Sequence, residues 1–211
     1  DEVVNILTID VEDYFMVSAF SDVVRFETWE TMESRVERNT IKVLEILREY
    51  SVNATFFVLG WVAEKFPSLV RAIVEAENEI ACHGYRHRLV YDMSPAEFHE
   101  DTRKAKSILE DVIGAKVVGY RAPSFSITKE NIGALDILVE LGFSYDSSIF
   151  PVRHSRYGYP QFSRFPVVLE TGSGPILEIP PSTIRLANQN IPFAGGGYFR
   201  FFPFWLTDWG I

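Results

Sequence analysis

The chain has 211 residues, 47% of them hydrophobic and 14% aromatic, enough apolar side chain for one sizeable core and too much for a disordered chain. No run approaches the ~20 consecutive apolar residues of a membrane span, and a formal charge of -9, from 29 acidic against 20 basic residues, argues against a nucleic-acid surface, which needs clustered Lys and Arg. A single cysteine, Cys82, excludes an internal disulfide framework.

Val3 to Ile9 is a short β-rich run ending at Asp10-Val11-Glu12-Asp13, and reads as a buried strand delivering charge at its C-terminal end. Arg38 to Tyr50 carries apolar residues at helical spacing behind Asn39 or Thr40 as a cap. The alternation repeats: a strand over Ala54 to Leu59, a helix over Pro67 to Ala76, and a strand from Glu79 to Cys82 running into His83 and His87. Ser94-Pro95-Ala96-Glu97 is a capping box with proline at the first helical position, and its helix should stop at Gly114.

Lys116 to Tyr120 is the next strand, ending at Arg121-Ala122-Pro123, and Thr128 caps a helix that stops at Gly142. Strands over Phe143 to Tyr145 and Ile176 to Ile179 follow. With no linker or low-complexity segment, the βα alternation predicts one α/β domain over residues 1–211 with a mostly parallel sheet. The chain stops in what reads as an unfinished helix, so the last C-terminal elements are expected to be missing. No signal peptide precedes the first strand; this favours the cytoplasm, with a periplasmic or extracellular location open if a leader was removed.

Asp10, His83, Arg121 and Asp146 each fall at the C-terminal end of a different predicted strand. In a parallel barrel those ends converge on the face where α/β barrels place their chemistry. His83 and His87, on a helical turn, would project from one face and reach one cation. By itself such a pair is as readily a surface pair or a hydrogen-bonded core pair. The third, acidic ligand would come from Asp10-Val11-Glu12-Asp13, where crowded carboxylates at a partly buried strand end call for a cation or an arginine. The bland alternative is a solvated acidic turn. A division of roles follows, with one carboxylate on the metal and another, kept ionised by the cation and Arg121, taking a proton from water.

These residues resemble the motifs of the polysaccharide deacetylases, carbohydrate esterase family 4, whose NodB-homology domain is a deformed (β/α) barrel. The first motif looks like Thr8-Ile9-Asp10-Val11-Glu12-Asp13, the second like His83-Gly84-Tyr85-Arg86-His87, the third like Arg121-Ala122-Pro123 and the fourth like Tyr145-Asp146-Ser147-Ser148. Glu178-Ile179-Pro180 and the run from Gly195 to Arg200 further resemble the subgroup encoded with exosortase-linked exopolysaccharide loci. The resemblance implies removal of N-acetyl groups from an amino-sugar polysaccharide or oligosaccharide with a divalent metal, Zn or else Co or Ni. It implies Asp10 as catalytic base, Arg121 as its orienter, His83 and His87 as metal ligands, and substrate contacts from Pro123, Tyr145 and Asp146.

The third ligand stays open between Glu12 and Asp13. Period-two alternation places Glu12 with Asp10 if the strand continues that far, whereas Asp13 can turn back if the strand ends early. The family's late histidine, the general acid, has no match: His99 reads as a solvated helix residue and His154 lies in a loop. Trp61, Tyr85, Phe125 and Tyr198 would either stack on sugar rings or pack within the protein. Two rival functions remain, a hydrolase of small cyclic amides or ureides and a non-catalytic carbohydrate- or metal-binding homologue.

Overall fold

In the computed structural model, which describes residues 5–193 and 195–210, the first strand is β1, Thr8–Val11. Val3 and Val4 of the expected run lie outside the described residues; the strand begins at Thr8 and continues through the first acid, so Asp10 lies inside it. β1 pairs in parallel with β2 (Thr55–Val58) and β2 with β3 (Glu79–Cys82), while β4 (Gly119–Tyr120) and β5 (Tyr145–Asp146) extend the sheet. The last two are short because their backbone leaves the ladder as soon as it has delivered Arg121 and Ser147. β7 (Gly174–Glu178) is the sixth parallel strand, and β6 (Val167–Thr171) folds back antiparallel on it at the edge. β6 and the separate hairpin β8 (Thr183–Leu186) and β9 (Gln189–Pro192) were not foreseen.

The helices are α1 (Val36–Glu49), α2 (Gly60–Lys65), α3 (Pro67–Glu75), α4 (Pro95–Ile113) and α5 (Ala134–Glu140), followed by α6 (Gly196–Phe201) and α7 (Phe204–Gly210). The Ser94/Glu97 capping box opens α4, and Gly114 in the left-handed region closes it, as the sequence implies. Thr128 also forms a capping box, with Asn131, but it caps only a short 3-10 turn. The helix expected from there to Gly142 is confined to α5, because the Asn131 side chain turns back to Thr128 N–H and the Ser126 carbonyl.

Strand pleating sorts side chains to two sides. Val11, Val58, Cys82 and Tyr120 are successive cross-strand partners on the side that meets the helices, where they join Leu44, Ile73, Phe98, Ala105 and Leu138 in the core. Asp10, Phe57 and Ala81 form the next row and point to the other side. Phe57 and Ala81 are 0% exposed although they lie outside that core cluster, which means the sheet covers its own inner side by curling. A flat sheet would separate β1 from β4 by three spacings of ~4.8 Å, farther than an arginine side chain reaches. Arg121, just after β4, nevertheless bonds to Thr8 Oγ1 at 2.9 Å and Asp10 Oδ1 at 2.8 Å. The fold is thus the deformed α/β barrel type expected, with strand order β1-β2-β3-β4-β5-β7-β6.

Candidate metal centre

Arg121 is the most constrained side chain at the mouth of the curl. Its Nη1 bonds to Asp10 Oδ1 and Thr8 Oγ1, its Nε to the Ser147 carbonyl at 3.1 Å, and its Nη2 to Ser147 Oγ at 2.8 Å. The guanidinium also lies 4.1 Å above the Phe57 ring, so its one accessible carboxylate partner, Asp10, is held in a fixed direction. Burial works against ionisation of Asp10. The Arg121 charge, aided by His83, the Arg121 hydrogen bond and His87, outweighs it and holds the carboxyl below the ordinary aspartate range. Asp10 Oδ2, the oxygen Arg121 leaves free, lies 4.0 Å from His83 Nε2.

His83 enters from the end of β3. Its Nδ1 donates to the Arg121 carbonyl at 2.8 Å, since a carbonyl can only accept. Nε2 is therefore the lone-pair nitrogen and is directed at the acids, the outer-shell arrangement that orients metal-binding histidines. Burial is the main cause that pushes His83 below the usual imidazole range, against the pull of Asp10 and Glu12, which keeps that lone pair available. His83 and His87 do not share a helical turn. Gly84 and His87 both adopt left-handed backbone, with φ of 75° and 56°, and Gly60 and Trp61 N–H bind the Gly84 and Tyr85 carbonyls. This pinned loop, rather than helical spacing, brings the two rings to 5.5 Å between centroids.

Glu12 completes the group. Its Oε2 is 2.8 Å from His87 Nε2 and 3.9 Å from His83 Nε2, and the ligand atoms of Glu12, His83 and His87 all lie within 4.8 Å of one another. The 2.8 Å approach lacks hydrogen-bond alignment, so among the described residues Glu12 Oε2 is a buried oxygen without a donor. An orphaned carboxylate oxygen facing two imidazole nitrogens fits the N/O donor set of a divalent transition metal, in which neighbouring ligand atoms are ~3.3 Å apart. Asp13 does not join it. It is 3% exposed, and its Oδ2 accepts from Ser34 Oγ, Arg35 N–H and Val36 N–H at the start of α1. Its Oδ1 takes the Tyr14 N–H.

The remaining sequence candidates are placed elsewhere. Pro123 is buried at the start of the short 3-10 turn Pro123–Phe125. Tyr145 points along the inner side away from the group, and its hydroxyl donates to Glu79 Oε1 at 2.9 Å. Asp146 is 0% exposed, on the helix side of the sheet, and both its oxygens accept from Ser148. The family resemblance implied a substrate contact for it, but its pleat parity matches Tyr120, not Arg121. Trp61 is core, edge-on to Trp29, and the Tyr85 hydroxyl bonds to Glu64. Phe125 packs against Phe150 and Tyr157, whose hydroxyl meets that of Tyr198. His99 lies on α4, and His154 stacks on Tyr157 at 3.8 Å in an exposed loop. The sequence missed Thr8 and Ser147 as holders of Arg121. Ser147 was signalled only by its parity, two residues beyond inward-facing Tyr145.

Comparison with known proteins supplies the family. The family model described as polysaccharide deacetylase matches residues 23–145, more than half of the sequence. The chain belongs to the polysaccharide deacetylase family. A second model, a domain of unknown function (DUF3473), matches residues 147–211. Asp10 and Glu12 precede both matches, so geometry alone joins them to the two histidines.

Among curated deacetylases, the chain is 33% identical over 110 residues to a peptidoglycan deacetylase-like protein of Gibberella zeae, covering 51% of this chain and 32% of that protein. It is 36% identical over 93 residues to a chitooligosaccharide deacetylase of a Bradyrhizobium strain, covering 44% and 42%. The chain thus spans well under half the length of these relatives. A Mycobacterium smegmatis structure assigned to the polysaccharide deacetylases superposes with a TM-score of 0.65 at 27% identity, over 91% of this chain and 64% of that one. A family 4 carbohydrate esterase from Streptomyces lividans, at 22% identity and TM-score 0.51 over 70% of this chain and 62% of the other, shares the deacetylase fold.

Proposed function

We propose that this polysaccharide deacetylase homologue is a metal-dependent hydrolase that removes N-acetyl groups from an amino-sugar polysaccharide or oligosaccharide. The observation that carries the reading is the orphaned Glu12 carboxylate facing His83 and His87, beside an Asp10 that Arg121 keeps ionised. Glu12, His83 and His87 hold the metal, with Glu12 taken over Asp13 because Asp13 is committed to α1. A divalent cation there, Zn²⁺ in the first place and Co²⁺ or Ni²⁺ as substitutes, supplies Lewis acidity to the amide carbonyl and acidifies a water by several pK units.

The chain's own residues do the rest. Asp10 accepts the proton of the attacking water at Oδ2, because Oδ1 is occupied by Arg121. Arg121 cannot swing away, being tied to Thr8 and Ser147, and it keeps the base ionised until the proton arrives. His83 is held neutral and aimed by its bond to the Arg121 carbonyl. The regions 23–145 and 147–211 act as one catalytic domain in this reading, supported by the ladder from β5 to β7 that joins them.

The test is acetate release from chito-oligosaccharides and from peptidoglycan fragments by the purified protein loaded with Zn²⁺, Co²⁺ or Ni²⁺. Metal-dependent acetate release is expected. Ammonia or ring-opened product from cyclic ureides instead would reassign the substrate, and stoichiometric metal binding with no turnover of either would mean a binding protein.

A further inference from the structure

The helix-side row of cross-strand partners runs across all six parallel strands: Val11, Val58, Cys82, Tyr120, Asp146, Glu178. The first four are core residues. The last two are neighbouring carboxyls, each 0% exposed. Two ionised carboxylates side by side in a dry core are not tolerated without a cation between them. Among the described residues no cation hydrogen-bonds to either: the buried Arg121, on the other side of the sheet, gives its donors to Thr8, Asp10 and Ser147. Asp146 accepts from Ser148 Oγ at 2.6 Å and Ser148 N–H at 3.2 Å, Glu178 Oε1 accepts from Ile149 N–H at 3.0 Å, and Glu178 Oε2 is buried with no donor among the described residues. A proton on Glu178, donated to Asp146, satisfies this last oxygen and removes one charge.

The pair stands behind the turn that holds Arg121. Ser148 Oγ, donating to Asp146, accepts the Ala122 N–H at 2.7 Å, and Ile179 N–H binds the Asp146 carbonyl at 2.8 Å. Between them Ser147 Oγ donates to the Ile179 carbonyl at 2.8 Å and receives Arg121 Nη2. We propose that Glu178 is a positioning residue: with Asp146 it shares one proton, and the pair fixes the Ser147–Ser148 and Ala122 turns that aim Arg121 at Asp10. Burial, then the Asp146 charge, drives Glu178 far above the carboxylate range, and burial also raises Asp146, against the opposing Glu178 and Ser148 hydrogen bonds. Both Asp146 oxygens already accept from Ser148 while Glu178 Oε2 lacks a partner among the described residues, which puts the shared proton on Glu178. Tyr120 on β4 and Arg121 are the other titratable or charged groups felt by the pair.

The kinetic part of the test rests on the deacetylase reading; the spectroscopic part does not. Infrared spectra of the metal-loaded protein at neutral pH are expected to show the C=O stretch of a protonated, water-shielded carboxyl, lost in Glu178→Gln. The Arg121 Nε–H signal in NMR should persist in wild type and Glu178→Gln but shift and broaden in Glu178→Ala. With metal content unchanged, Glu178→Ala should lower kcat by about 10- to 100-fold, the scale for a slightly misplaced catalytic group, with KM little altered and Gln restoring the rate. Absence of the protonated-carboxyl band, a Gln variant as damaged as Ala, or an Ala variant with the wild-type Arg121 signal would each overturn the proposal. If wild type releases no acetate, the infrared and Arg121 measurements still decide it, and wild type with Glu178→Gln suffices should the Ala variant not fold.

Discussion

Asp10, Glu12 and Asp13 are three acids within four residues, yet each has a different set of partners. Arg121 holds Asp10, the histidines face Glu12, and the start of α1 engages Asp13. Substitutions should separate these roles in one measurement of metal content after dialysis. His83→Ala and His87→Ala are expected to lose stoichiometric metal, while Asp10→Asn keeps it and loses kcat by ~10²–10⁴, as for a missing general base. Asp13→Ala should also keep metal but lower unfolding stability by ~1–3 kcal/mol, because it strands the buried Val36 N–H and the part-buried Arg35 N–H. Metal loss in Asp13→Ala with retention in Glu12→Ala would reverse the ligand choice.

At the scale of single elements, β4 and the α4 cap show how local sequence constrains packing. Tyr145 crosses β4 to reach Glu79 only because Gly119 has no side chain: a Cβ there would lie 2.0 Å from the Tyr145 ring. Gly119→Ala should therefore cost ~1–3 kcal/mol by overpacking, and adding it to Tyr145→Ala should cost little further, a non-additivity visible in denaturant midpoints. The Ser94 backbone hydrogen bond, then its hydroxyl and Arg88, lower Glu97 from 4.5 to about 2. A carboxyl depressed on folding adds stability above its unfolded pKa and loses it as pH falls towards the folded one. Thermal melts should thus show a decline between pH 4.5 and about 2 that is shallower in Glu97→Gln. The cap was legible because Ser94, Pro95 and Glu97 interact within four residues. The β8–β9 hairpin was not, since its turn residues Ala187 and Asn188, at φ 47° and 63°, carry no Asn-Gly signal.

For the molecule as a whole, a metal that binds the folded chain and not the unfolded one must raise its melting temperature with concentration. Zn²⁺ should raise Tm and a chelator lower it, with no such response in the His83→Ala, His87→Ala double variant; a chelator-insensitive wild type would argue against the site. Sequence by itself determined the strand ends that bear Asp10, His83 and Arg121, since these depend on apolar runs and turn signals only a few residues long. It also pointed to an acid of the Asp10–Asp13 run as the partner of the two histidines. Only the tertiary structure decided which acid, because the pleat of β1 and the start of α1 send Glu12 and Asp13 in opposite directions. The curl of the sheet likewise decided that Arg121 meets Asp10 across the two intervening strands, and parity decided that Asp146 faces Glu178 in the core. Side-chain direction at a strand end depends on register and curvature set by distant partners, and no local pattern encodes them.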